Sequence, residues 1–434
     1  MNKTDILQFH ASNISPRLKY INHIVFELIL GLKVEYSLDL EQFKGIIVPK
    51  VNYTLLKIHN SLNICPNSLL FEDKIYPQNP PFSKSDDIPI LYPKIDQALS
   101  FDPLAACFYI LSRYEEYTKT DRDEHQRFPA KASLQFELDI LNVPIVQIWA
   151  NMLKEALKKK FKDLQFKERP FHFLPTFDID MAWSYKEKGM YRSIGSSLQS
   201  ILKFDFPSLQ ERWQVATGTT KDPFDTFEYI AEQVKKHKHA SIYFFLVGIH
   251  STYDKNISPK NENFIQLIQS IASRYKVGLH PSYYSDKHLE KERNTLQEIT
   301  NSPIEISRQH YVRLHLPSTY RHLLKHQIYA DYSMGYPDHL GFRNGLAIPT
   351  PWYDLENEEQ TALLIHPFQI MDVTLKNYLK KSPEQANEQI QSILDTVCSY
   401  GGTCISIWHN SSFDNQWKGW EKVFEEMLSY ANKI

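Results

Sequence analysis

Over the first 165 residues, apolar positions recur at helical and then at strand spacing. The stretch "YINHIVFELILGL" (20–32) predicts a helix and "KGIIVPKV" (44–51) a strand. "PLAACFYILSRYEEYT" (103–118) has helical spacing and opens on Pro103, a residue tolerated in a first helical turn. "VPIVQIWANMLKEALKKKFK" (143–162) is amphipathic and ends in lysines that suit the negative end of a helix dipole. Between them lies "SRYEEYTKTDRDEHQRF" (112–128), dense in charge, which predicts a solvated loop or an interface held by ion pairs.

From about residue 168 the pattern becomes a regular alternation. Strands are predicted at "FHFLPTFD" (171–178), "ASIYFFLVG" (240–248), "KVGLH" (276–280), "PIEISRQHYVRLH" (303–315) and "TCISIWHN" (403–410). Helices are predicted at "DTFEYIAEQVKKH" (225–237), "ENFIQLIQSIASRY" (262–275), "PSTYRHLLKHQ" (317–327) and "EQANEQIQSILDTVCSYGG" (384–402), the last stopped by Gly401 and Gly402. Such alternation implies parallel strands joined by right-handed crossovers, in a (β/α) barrel or an open doubly wound sheet. With 434 residues the chain suits two domains, an α/β unit over 1–165 and a larger one over 166–434.

Composition narrows the partners. The chain is 42% hydrophobic and 23% charged, as in a soluble globular protein, and its net charge of −2 gives no footing for nucleic acid or a membrane surface. The 25 Tyr and 25 Phe serve a large core more readily than a sugar cleft. Cys65, Cys107, Cys398 and Cys404 have no zinc or redox spacing and suit a reducing compartment. The start "MNKTDILQFHASN" has no basic-then-apolar leader, and no apolar run is long enough to span a bilayer, so a cytoplasmic location is expected.

The chemistry gathers at strand ends. "TFDID" puts Asp178 and Asp180 on one face of an extended chain. Two adjacent carboxylates repel, so a metal ion, an arginine or a helix N-terminus must compensate them. His280 closes "KVGLH" and His409 closes "ISIWH". In parallel α/β folds the carboxyl ends of the strands share one face, where distant residues meet. Carboxylate oxygen and imidazole nitrogen are ligands for zinc and related ions. Taken singly, each of these residues could cap a turn or sit satisfied in a loop.

The order of these elements resembles the NodB-type polysaccharide deacetylases, carbohydrate esterases with a distorted (β/α) barrel. "TFDID", "ASIYFFLVG", "KVGLHPSYYS" and "ISIWH" match that family's strand-end motifs in order, and the likeness covers about residues 168–430. It implies a distorted barrel preceded by a smaller α/β N-terminal domain, in a bacterial subgroup. It also implies a metal-dependent hydrolase of non-peptide carbon–nitrogen bonds that removes acetyl groups from N-acetylated sugars. Asp178 would be the general base and His409 the general acid. Asp180 and His280 would hold a divalent metal, zinc or alternatively cobalt or nickel.

Two departures stand out. The family's second histidine, four residues after His280, is replaced by Tyr284. His310, on the next predicted strand, would then supply the third ligand, with His366 as an alternative. The arginine that pairs with the catalytic aspartate is assigned to Arg313, with Arg308 and Arg343 competing. Arg343, in "GFRNG", and Tyr284 are assigned to substrate contact. The missing histidine also motivates a second reading, a degenerate barrel that binds glycans or scaffolds polysaccharide assembly. A glycoside hydrolase ranks lowest, because Asp178 and Asp180 leave one strand and cannot flank a glycosidic bond. The sugar, the oligomeric state and the role of residues 1–165 are not legible in the sequence.

Overall fold

The computed structural model describes residues 6–95, 98–187 and 206–434. Residues 1–5, on which the expectation about a leader partly rests, lie outside them.

The chain first builds a small parallel sheet from β1 (Ile6–Ala11), β2 (Lys33–Tyr36), β3 (Lys50–Tyr53) and β4 (Leu62–Asn63), in the order β2-β1-β3-β4. The predicted strand over 44–51 forms only from Lys50, because Leu40–Gly45 is helical, capped by Asp39. The predicted helix over 20–32 starts earlier, at Pro16, where the Ser15 side chain accepts from the amide of Leu18. It then widens into a π-helical stretch, His23–Ile29. A hairpin follows, β5 (Phe82–Ser85) and β6 (Ile88–Leu91). The predicted helix over 103–118 breaks at Arg113, whose φ is +56, into Pro103–Leu111 and Tyr114–Thr118. Helix Ile145–Lys160 forms as its periodicity predicts.

The second sheet carries the strand ends of interest. It contains β7 (Phe171–Ile179), β8 (Ile242–Phe245), β9 (Lys276–Leu279), β10 (Ile306–Ser307), β11 (Ala330–Asp331), β12 (Thr350–Asp354), β13 (Glu359–Ile365), β14 (Ile370–Met371) and β15 (Gly402–His409). Their order is β12-β13-β11-β10-β9-β8-β7-β15-β14. All neighbours are parallel except β12 and β13, and no ladder joins β12 to β14. The result is a curled, incomplete barrel. The predicted strand over 303–315 shrinks to Ile306–Ser307, and the rest turns as a loop.

Period-two alternation explains why the sheet has a filled interior and helix-covered outside. Ile242, Phe244, Ile405 and Ile407 face inward with Ile306 and Tyr332. Tyr243, Phe245, Cys404 and Trp408 face outward, beneath the helices that contribute Ile230, Phe264, Leu394 and Phe424. Phe177 and Ile179 are outward too, so Asp178 between them points in. Helix Pro383–Tyr400 opens on a capping box of Ser382 and Gln385 and stops at Gly401, φ +71. A Cβ at Gly401 would meet the Arg169 carbonyl at 2.3 Å, so only glycine fits.

The two parts of the chain share an apolar core. The core around β1 and β3 takes in Leu346, Ile348, Tyr353 and Leu355 from the second half of the chain. The charge-dense segment supplies the polar part of this junction. Glu116 sits buried between two arginines, accepting from Arg113 Nε at 2.8 Å and from Arg343 Nη2 at 2.7 Å. Burial opposes the charge of Glu116, but Arg343 and Arg113 outweigh it and hold its carboxyl below the ordinary range. Its contribution is therefore complete at neutral pH and is lost as pH falls through that lowered value. Glu116→Gln leaves the buried Arg343 guanidinium without its counter-charge and Arg113 with Glu115 in place of two carboxylates. Denaturant unfolding at neutral pH should show a loss of about 3 kcal/mol; a change within about 0.5 kcal/mol would remove the junction from the account.

Candidate metal and active site

Strand register brings the site together. His409 on β15 lies level with Asp178 on β7, and Asp178 level with Phe244 on β8. Phe245 pairs with Leu279, and Leu279 with Ser307, so His280 and Arg308 leave their strands side by side. Met371 on β14 pairs with Ile407, which places Asp372 next to His409. Residues far apart in sequence thus line a single cavity of about 420 Å³, with Asp178, Asp180, His280, His310 and His409 in its wall.

The two aspartates are compensated differently. Asp178 Oδ1 accepts from Arg308 Nη1 at 2.9 Å, and that guanidinium is fully buried. Arg308 is itself fixed by Thr176 Oγ1 at 2.6 Å, by the Tyr332 carbonyl at 3.0 Å and by the Phe244 ring. Among the described residues no arginine pairs with Asp180. Around it stand His280 Nε2, 3.1 Å from Oδ1, and His310 Nε2, 3.6 Å from Oδ2. His409 Nε2 is 3.8 Å from Oδ2. Oδ1 of Asp180 is buried and has no hydrogen-bond partner.

The other ring nitrogens decide what those Nε2 atoms can do. His280 Nδ1 is 2.5 Å from the Arg308 carbonyl, which can only accept, so Nδ1 carries the proton. His310 Nδ1 faces Asp254 Oδ1 at 2.9 Å, and Asp254 is held by Ser251 Oγ and the Tyr283 amide. In the neutral rings both Nε2 lone pairs point at the Asp180 carboxylate. Lone pairs facing lone pairs at these distances require a cation between them, either a proton or a metal. The ligand atoms of Asp180, His280 and His310 lie within 4.8 Å of one another. Two ligands of a tetrahedral zinc lie about 3.3 Å apart, and the observed 3.1 and 3.6 Å bracket that span. Two imidazoles, each fixed through its second nitrogen, and one carboxylate fit a zinc-like ion.

The charges follow from the same geometry. Burial disfavours a charged Asp180, but His310 and His280 outweigh it and hold the carboxyl well below its ordinary range. Burial also disfavours a charged His310, yet Asp180 and Asp254 lift its pKa to about 9. His409 pairs through Nδ1 with Asp372 Oδ1 at 2.9 Å. Asp372 is fully buried and also accepts from the His409 amide and Ser412 Oγ. Burial would lower the His409 pKa, but Asp372 first, then Asp180 and Asp178, raise it to about 10.

The remaining predicted residues are placed elsewhere. Arg313 does not meet Asp178. It donates to the Tyr283 carbonyl at 2.8 Å and stacks on the Tyr283 ring, because the loop after β10 has turned outward. Arg343 is buried against Glu116 at the junction, out of reach of any substrate. Tyr284 is 52% exposed and packs beside Tyr283 and Tyr253, outside the cavity lining. His366 stacks on Tyr332 at 4.3 Å, and burial lowers its pKa to about 4. Asp254 and Asp372 were missed by sequence reasoning. Asp372 directly follows a short strand, as Asp178 nearly ends a long one, and that position was its one available signal.

Comparisons with known proteins add the following. A family model described as a family of unknown function (DUF7033) matches residues 7–162. No curated protein matches the chain. Among solved structures, the chain is similar to a polysaccharide deacetylase candidate from Mycobacterium smegmatis, with a TM-score of 0.41 and 13% identity, covering 62% of this chain and 86% of that one. It is similar to a mutant CE4-family pseudoenzyme with restored enzymatic activity, with a TM-score of 0.25 and 12% identity, covering 66% and 79%. A third is a GH138 enzyme targeting pectin rhamnogalacturonan II, with a TM-score of 0.26 and 10% identity, covering 98% of this chain and 62% of that one.

Asp372→Asn removes the nearest negative charge from His409. The His409 pKa, followed by NMR in the metal-free protein, should fall by at least about one unit. An unchanged pKa would break the link between this pair and the raised value.

Proposed function

We propose that the chain is a metal-dependent hydrolase that removes acetyl groups from N-acetylated sugars of a polysaccharide or glycan precursor. The observation that carries this reading is the convergence of Asp180, His280 and His310 on one point, with Asp178–Arg308 on one side and His409–Asp372 on the other. Asp180, His280 and His310 would hold the ion. A divalent cation there supplies Lewis acidity, polarising an acyl carbonyl and acidifying water.

The protein's own groups supply the proton transfers. Arg308 donates to Asp178 and aims it into the cavity, placed to take a proton from water. Asp372 keeps His409 protonated at neutral pH, ready to give a proton to the departing nitrogen. A base held by a cation and an acid held by an anion are the opposed environments that acid–base catalysis needs. Tyr284 motivated the degenerate, scaffold-like reading. His310 offers a third ligand in its place, so that observation no longer favours a scaffold.

We further propose a division near residue 165. The family match ends at 162, and β7, the first strand of the large sheet, begins at Phe171. Among the described residues no helix is long and apolar enough to cross a membrane.

The test is acetate release from N-acetylated oligosaccharides. Asp178→Asn should lower turnover by roughly 10²–10⁴-fold while still binding one equivalent of zinc. Turnover equal to the unaltered protein would remove Asp178 as the base.

A further inference from the structure

Residues 119–128 leave the N-terminal part of the chain and bring Arg127 into the cavity wall. Asp123 organises them. Its Oδ1 accepts from the amides of His125 and Arg127, each at 2.9 Å, and its Oδ2 from Arg127 Nε at 2.7 Å. The guanidinium is thereby aimed across the junction, and the Arg127 side chain is only 4% exposed. Nη1 donates to the carbonyl of Tyr311 at 2.7 Å, and Nη2 to the Tyr378 hydroxyl at 3.3 Å. Beside it, the His125 ring packs 4.7 Å from the Tyr311 ring.

The Tyr311 carbonyl belongs to an unfavourable piece of backbone. The Arg313 amide closes a turn on the His310 carbonyl at 3.2 Å, and the two central residues are left-handed, Tyr311 at φ +59 and Val312 at φ +53. Turns of this kind favour glycine and asparagine, and a β-branched residue there is an outlier. Two such residues in succession persist only where the surroundings hold them. His310 immediately precedes them, so the direction of its ring toward Asp180 is tied to the shape of this turn.

We propose that Arg127 is a positioning residue for the metal site: by clamping the Tyr311 carbonyl it holds the left-handed turn that presents His310 to Asp180 and His280. The inference rests on the metal reading given above. It assigns the N-terminal part of the chain a share in building the site. Without the guanidinium the turn relaxes toward right-handed backbone and His310 withdraws. A lysine at 127 can still reach the carbonyl, but it loses the fork that Asp123 aims.

Cobalt(II) titration of the full-length, metal-free protein tests this, read by visible absorption with a competing chelator, alongside a thermal melt of each variant. The unaltered protein should bind one equivalent and Asp180→Ala none. Arg127→Ala should weaken binding at least about tenfold and alter the cobalt band, with little change in the melt, and Arg127→Lys should recover part of the loss. Arg127→Ala with unaltered affinity and band, while Asp180→Ala is inactive in binding, overturns the positioning role alone. If Arg127→Ala does not fold, Arg127→Lys decides, since affinity equal to the unaltered protein overturns the proposal. If the unaltered protein binds no cobalt, the metal reading falls and the positioning role falls with it.

Discussion

Two carboxylates at the end of β7, facing the same interior, cannot both stay charged without separate partners. Everything around the cavity is arranged by that constraint. Asp178 takes its counter-charge from a buried arginine that directly follows β10. Asp180 lies beyond that arginine's reach and is met by imidazole nitrogens from two loops. The same pair of residues therefore ends in two electrostatic settings, one paired with a fixed cation, the other faced by imidazole nitrogens.

Parallel register makes this arrangement inexpensive in chain entropy. Each strand delivers one residue to the rim, and the adjacent strand delivers its partner. His280 meets the Arg308 carbonyl because β9 and β10 pair one residue earlier. His409 meets Asp372 because Met371 of β14 pairs with Ile407 of β15, two residues before His409. The second nitrogen of each histidine is occupied by these neighbours, which fixes the tautomer and leaves Nε2 for the cavity. The N-terminal part of the chain joins the same structure through a shared core and through the buried Glu116 pair, and its loop reaches the rim.

Much of this was legible in the sequence, for physical reasons. Strand alternation put Asp178 and Asp180 on one face, and strand ends located His280 and His409. His310 was nameable as a nitrogen donor, but its expected strand is a turn, because only Ile306–Ser307 finds a ladder partner. Arg308 and Arg313 could not be told apart by spacing. The turn between them reverses the chain, and φ values of Tyr and Val there contradict their local preference. Asp254 sits in an irregular loop with no periodicity to mark it. The buried role of Arg343 depends on a partner 227 residues away, Glu116, that tertiary contact alone supplies.

Anomalous X-ray diffraction from crystals of the full chain grown with zinc measures the central claim directly. The account predicts one anomalous peak within about 2.0–2.2 Å of Asp180, His280 Nε2 and His310 Nε2. Zinc bound elsewhere, or bound at Asp180 with the His310 ring turned away, would contradict it.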